Sequence, residues 1–327
     1  MKKEPVFTGV CTAIVTPFGP NGAISYDVFG RLIAEQIARG VDAICVCGTT
    51  GESATMSARE HDEAISFCVR QAKGRVKVIA GAGSNDTAAA LSLSQRAQEA
   101  GADALLHVTP YYNKATQAGL IRHYEYIADR VDLPILLYHV PGRTGVSFTA
   151  ETYRILSQHP NINGVKEASG DLSLAARTIS LCGDALFIWS GNDDQTVPLM
   201  ALGARGVVSV ASNLIPEVMA SMTHLCLEGR FEEAARLQLA HTALFDALFL
   251  EVNPIPIKTA MEMAGYPMGG LRLPLCDISA PHRAQLRAVM ENAGLLPQSA
   301  GSLYHQRGAV SEWRRRLFSN PRSLSSP

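Results

Sequence analysis

Eight short apolar, β-rich runs punctuate residues 9–209, and a longer amphipathic stretch follows each of them. The runs are Gly9–Thr16, Ala43–Cys47, Val76–Ala80, Ala104–Val108, Pro134–His139, Ile162–Lys166, Ala185–Ser190 and Gly206–Ser209. Most are nearly continuous rather than alternating, which marks strands buried on both faces of a parallel sheet. In the stretch 26–39, Phe29, Leu32, Ile33 and Ile37 recur at helical spacing. Ser25, Ser57, Thr149 and Asp171 stand where helix N-caps are expected. Eight strand–helix units at roughly 30-residue spacing are what closes a (β/α)8 barrel. A doubly wound open sheet would instead need a glycine-rich turn after its first strand. Thr16-Pro-Phe-Gly19 does not supply one, and Gly81-Ala-Gly83-Ser-Asn-Asp86 lacks the third glycine and follows the third strand. The pattern therefore predicts an α/β chain. It has a (β/α)8 TIM barrel over residues 1–229, a small C-terminal helical region over 230–296 and a basic tail over 297–327.

Composition narrows the classes of function. The 327 residues carry 29 Lys and Arg against 30 Asp and Glu, a net charge of −1, and 47% are hydrophobic. Disorder is excluded, and a whole-protein nucleic-acid footprint is not expected. No apolar run reaches the roughly 18 residues of a membrane helix, so no membrane partner is expected. The near-neutral charge averages two unlike parts. Residues 297–327 hold five arginines against Glu312 alone, a +4 tail on a −5 body. Trp313, Leu317 and Phe318 would give that tail one amphipathic face, although a frayed end is the simpler expectation. Seven scattered cysteines fit neither a disulfide framework nor zinc spacing. Cys45 and Cys47, two apart in a strand, should share a face. With no long apolar run after Met1-Lys-Lys-Glu-Pro5, a reducing cytoplasm is the expected location.

In such a barrel, active sites form at the C-terminal ends of the strands. Lys166 ends the sixth run and should face the mouth. An amine freed of its proton by burial attacks a ketone carbonyl and leaves an imine. The plain alternative is a surface lysine paired with Glu167. Tyr138 ends the neighbouring run and could shuttle protons, with Thr50 and Tyr112 as the hydroxyls at hand. Thr49 and Thr50, in Gly48-Thr-Thr-Gly51, make a small carboxylate cradle. Arg143, in Pro141-Gly-Arg-Thr-Gly145, offers a second carboxylate receptor. Two such receptors beside an imine lysine suggest a keto acid joined to a second acidic partner. Glu52 is read as turn structure, and Asp193 and Asp194 as helix N-capping. No metal-ligand or nucleotide motif appears, so neither a metal nor a cofactor is expected.

Taken together, Gly48-Thr-Thr-Gly-Glu52, Tyr111-Tyr112-Asn113, Tyr138-x-Val-Pro-Gly-Arg-Thr-Gly145, Gly164-Val-Lys-Glu-Ala168 and Asn253-Pro-Ile-Pro-Ile-Lys258 resemble the dihydrodipicolinate synthase family of pyruvate lyases. The likeness runs from about Val6 to Leu296. It implies that Lys166 forms a Schiff base with pyruvate and that Tyr138, Thr50 and Tyr112 form a proton relay. Thr49 and Thr50 would hold the pyruvate carboxylate, with Gly191 and the main chain at Val208 lining the pocket. Arg143 would bind L-aspartate-4-semialdehyde, giving 4-hydroxy-tetrahydrodipicolinate for lysine and diaminopimelate synthesis. The counterpart of Tyr112 reaches a neighbouring subunit's site, which implies a homodimer at least and usually a dimer of dimers.

Arg143 and the Thr-Thr turn favour the synthase over the N-acetylneuraminate lyase branch, which lacks that arginine. Another pyruvate aldolase or dehydratase acting on a sugar acid (2-keto-3-deoxygluconate aldolase-like, for instance) is the alternative. A non-catalytic barrel is a third reading, disfavoured by the intact set of site residues. One departure is His139, where the family usually carries asparagine. In lysine-inhibited relatives, the pocket positions match Ser53, Ala54, His61, Asn85 and Tyr111. Ala58 and Ala89 stand where sensitive enzymes tend to have histidine and glutamate, so weak lysine feedback is expected.

Overall fold

The computed structural model describes residues 3–296; the basic-tail expectation for 297–327 lies outside them. Eight parallel strands close into one barrel in sequence order. They are β1 (Gly9–Ala13), β2 (Ala43–Val46), β3 (Lys77–Gly81), β4 (Ala104–Val108), β5 (Ile135–His139), β6 (Ile162–Glu167), β7 (Phe187–Ser190) and β8 (Gly206–Ser209). The outer layer contains α1 (Tyr26–Ala38), α2 (Ala58–Ala72), α3 (Thr87–Glu99), α4 (Gln117–Ala128), α5 (Pro141–Thr144), α6 (Ala150–Leu156), α7 (Leu172–Cys182), α8 (Thr196–Ala201) and α9 (Pro216–Leu227). Three further helices follow: α10 (Phe231–Ala247), α11 (Ile255–Met263) and α12 (Ala280–Asn292).

Strand alternation sorts the side chains into two apolar clusters. Cys11, Ala43, Cys45, Ile79, Leu106, Leu136, Phe187, Trp189 and Val208 fill the barrel interior. Val10, Ile44, Val78, Leu105, Leu137, Val165 and Val207 pack outward against the helices. Gly164 is needed here, because a Cβ would lie 2.5 Å from the Trp189 ring. Trp189 in turn stacks on Phe7 at 4.9 Å. Beyond the sheet, Lys3 Nζ donates to the carbonyls of Ser157, His159, Ile162 and Ala185 at 2.6–2.9 Å, fastening the N-terminal segment across β6 and β7.

Several local expectations need correction. The first strand ends at Ala13, not Thr16; its neighbour β8 stops at Ser209, and Val15 N–H finds the Asn213 side chain instead. Cys45 and Cys47 do not share a face. Cys45 lies in the interior cluster and Cys47 in the outer one, because Cys47 sits past the strand end at φ 55. Ser25 makes no side-chain cap, whereas Ser57, Thr149 and Asp171 do. Within the helical region expected over 230–296, α10 stops at Ala247. All seven cysteines are free, and six of them are buried.

Two buried histidines link the fold to pH. Burial lowers His107 to about 3 and His123 to about 4. Ser94 Oγ donates to Ala90 O, so it receives the His107 Nε2–H at 2.9 Å, and Nδ1 is left without a partner. The unfolded chain protonates both rings near pH 6.5 while the fold resists, so stability falls with pH through that window. Acidification from pH 7 to 5 should cost about 2–4 kcal/mol in denaturant titrations. A His107→Gln/His123→Gln protein should lose most of this slope; an unchanged slope would contradict the assignment.

Candidate active site

The same alternation that builds the interior aims two polar residues into its C-terminal mouth. Tyr138 on β5 and Lys166 on β6 are direct register partners, and Trp189 on β7 is the next partner of Lys166. Lys166 is 6% exposed. Its Nζ lies 4.2 Å from the centroid of the Tyr138 ring. Among the described residues that amine has neither a hydrogen bond nor an ion pair. The alternative of a surface pair with Glu167 is thus excluded; Glu167 points to the outer face and bonds His139. Asp193 is the nearby buried acid. Burial raises its carboxyl pKa, opposed by hydrogen bonds from the main chain and by the charge of Lys166. Its Oδ2 accepts from the Val210 and Ala211 N–H groups, so it caps the turn after β8 and not its own helix.

A second buried lysine behaves in the opposite way. Lys258, on α11, donates to Glu52 Oε1 at 2.7 Å and to Thr16 O at 3.0 Å. Glu52 is held at φ 58 in the turn after β2, and its Oε2 accepts the Arg272 N–H at 3.0 Å. Lys258 and Arg272 both lie over the Phe18 ring, at 4.2 and 4.4 Å. Burial lowers the Lys258 pKa and Glu52 opposes that. Glu52 therefore does structural work, but as the acid that fastens the C-terminal helices beneath the Thr-Thr turn.

That fastening delivers a residue which sequence reasoning used only as part of a motif. Asn253 Nδ2 donates to Thr50 Oγ1 at 3.0 Å, and Asn253 O accepts from Arg143 Nη2 at 3.0 Å. Asn253 is 5% exposed, and its Oδ1 has no partner. Thr50 is buried, Thr49 half-buried and Arg143 exposed on α5. Gly191, just past β7, permits close approach to Ala168, because a Cβ would meet that methyl at 2.5 Å. Val208 is buried in the interior cluster. Among the described residues, no hydrogen bond joins Tyr138, Thr50 and Tyr112. Tyr112 projects from its loop at φ 71 and is 90% exposed, beside the exposed Tyr111. Of the feedback positions, Ala54 and Ala58 are exposed, whereas His61 is buried with Nε2 2.8 Å from Gly81 O.

A closed parallel barrel with an unpartnered lysine over a tyrosine at its mouth is the setting for imine-forming lyases. A sequence profile of the Dihydrodipicolinate synthetase family matches residues 6–293, and the chain belongs to that family. Its members are lyases working through a lysine imine, without a metal or organic cofactor. The chain is 49% identical to the 4-hydroxy-tetrahydrodipicolinate synthase of Thermoanaerobacter sp. (strain X514) over 296 residues, covering 90% of this chain and 99% of the relative. The dihydrodipicolinate synthase crystal structure from Thermotoga maritima matches with a TM-score of 0.87 at 43% identity, covering 89% of this chain and 100% of that one. The chloride-inhibited synthase from Acinetobacter baumannii, complexed with pyruvate, matches with a TM-score of 0.87 at 39% identity, covering 88% and 99%.

The two lysines should respond differently to replacement. Lys258→Met leaves Glu52 buried without its cation and should cost about 3–5 kcal/mol of stability. Adding Glu52→Gln should return at least about 1 kcal/mol, since the amide oxygen still accepts from Arg272. Additive losses in denaturant titrations would show that the pair is not coupled.

Proposed function

We infer that the chain is a 4-hydroxy-tetrahydrodipicolinate synthase, condensing pyruvate with L-aspartate-4-semialdehyde through an imine on Lys166. The observation that carries this reading is the buried, unpartnered Nζ of Lys166 at the barrel mouth. The amine adds to the pyruvate ketone, and loss of water leaves the imine. Removal of a methyl proton gives the enamine, whose carbon attacks the aldehyde, and the new oxygen takes up a proton. The amino group of the second substrate then attacks the imine carbon, closes the ring and releases Lys166. One water leaves overall.

In this reading Thr49 and Thr50 hold the pyruvate carboxylate, against Gly191 and the main chain at Val208. Arg143 receives the carboxylate of the aldehyde. Asn253, bonded to both Thr50 and Arg143, sets the distance between these two receptors. Tyr138, Thr50 and Tyr112 carry protons during imine formation. The outward projection of Tyr111 and Tyr112 supports a site completed by a second copy of the chain, with a homodimer as the working unit and a dimer of dimers above it. The 230–296 region serves the 1–229 barrel by placing Asn253 and Lys258. Seven free thiols suit a cytoplasmic enzyme, and no described helix is long and apolar enough to cross a membrane.

Turnover with aspartate semialdehyde should exceed that with sugar-derived aldehydes by at least about 100-fold, a margin that rests on the Arg143–carboxylate pair. Arg143→Ala should lower kcat/KM for the aldehyde by about 100-fold or more, while exchange of pyruvate methyl protons into deuterated water persists. Equal use of uncharged aldehydes by the parent would contradict the assignment of Arg143. With Ala58 and Ala89 in the feedback positions, sub-millimolar lysine should leave the rate unchanged, and inhibition in that range would overturn this expectation.

A further inference from the structure

Directly behind the Tyr138–Lys166 pair, on the outer face of the same two strands, the fold buries a second pair. His139 follows Tyr138 on β5, Glu167 follows Lys166 on β6, and the two are the next register partners. They are 1% and 3% exposed. His139 Nε2 faces the Phe148 N–H at 3.4 Å, so Nε2 accepts and the ring proton rests on Nδ1. Nδ1–H then donates to Glu167 Oε2 at 3.0 Å. The Phe148 and Tyr153 rings meet the imidazole edge to face, at 5.5 and 6.2 Å.

The pair reaches the segments that follow β5, β6 and β7. Glu167 Oε1 accepts the Ser169 N–H at 2.7 Å, which fixes the turn after Lys166. The Glu167 carbonyl accepts the Gly191 N–H at 2.7 Å, and the His139 carbonyl accepts the Ala168 N–H at 2.9 Å. Phe148 stands at the far end of the loop that bears Arg143. One strand step earlier, the same outer face is filled by Leu137 and Val165, so barrel closure alone does not call for a polar pair. Burying imidazole and carboxylate costs desolvation that apolar side chains avoid, whereas their bond enforces one geometry.

We propose that His139 and Glu167 are positioning residues for the condensation. They hold Lys166, Tyr138 and the Arg143 loop in the relative placement that carbon–carbon bond formation needs. The inference rests on the reading of Lys166 as the imine-forming lysine.

The test measures kcat, KM for each substrate and the thermal midpoint of full-length His139→Leu, His139→Asn and Glu167→Gln proteins, assayed well below each midpoint. His139→Leu should lower kcat about tenfold or more, with KM for pyruvate within about twofold of the parent. His139→Asn, whose amide still donates to Glu167, should return kcat to within about threefold. Glu167→Gln keeps the shape but turns an NH2 toward one of two N–H donors. It should lose kcat by a factor similar to His139→Leu, and supplies the test if the leucine variant does not fold. Parental kcat in His139→Leu or Glu167→Gln, or an asparagine variant no better than leucine, would overturn the proposal. Lys166→Ala separates the two failures. Turnover retained there removes the imine reading, while turnover lost there but unchanged in the pair variants removes only this inference.

Discussion

The parallel pairing of β5 with β6 governs the molecule's chemistry. It sets Tyr138 opposite Lys166 and His139 opposite Glu167. Because successive side chains point to opposite faces, one register decides both what enters the mouth and what is locked behind it. A slip of one residue would place the histidine and carboxylate inside and carry the lysine into the helix layer. Gly164 keeps β6 close to β7 and gives Trp189 room beside Lys166. The Lys166 amine thus sits on a packed floor, held by strands whose positions are fixed by an entire closed sheet.

Two buried lysines in one barrel show how surroundings divide labour between identical side chains. Lys258 is satisfied by Glu52 and Thr16, and its charge joins the C-terminal helices to the Thr-Thr turn. Lys166 lies over the Tyr138 ring, and among the described residues its Nζ has no hydrogen bond or ion pair. One lysine is thus tied into the fold, and the other is left open toward the barrel mouth. The same ion pair that immobilises Lys258 brings Asn253 up to Thr50 and Arg143. The C-terminal helices therefore help to shape the site.

Much of this was legible in the sequence, because parallel strands advertise themselves as apolar runs and the barrel rule converts their ends into a site. Lys166, Tyr138, Thr50 and Arg143 followed from that logic. Asn253, Lys258 and Arg272 did not, since their partners lie about 200 residues away in the chain and local pattern carries no sign of such pairings. The face assigned to Cys47 failed because alternation holds only while the backbone stays extended, and at φ 55 it does not. Ser25 had the residue type of a cap but not the geometry. Tyr112 shares the residue type of a proton relay but projects outward, 90% exposed, and its type alone gives no sign of that.

Which lysine meets the keto acid decides the chemistry of this barrel. Reduction with borohydride in the presence of pyruvate, followed by peptide mass mapping, reads this directly. One pyruvate-derived adduct per chain is expected, on Lys166, with Lys258 unmodified in the folded protein. An adduct on Lys258, or none on any lysine while the protein remains active, would contradict the assignment of Lys166.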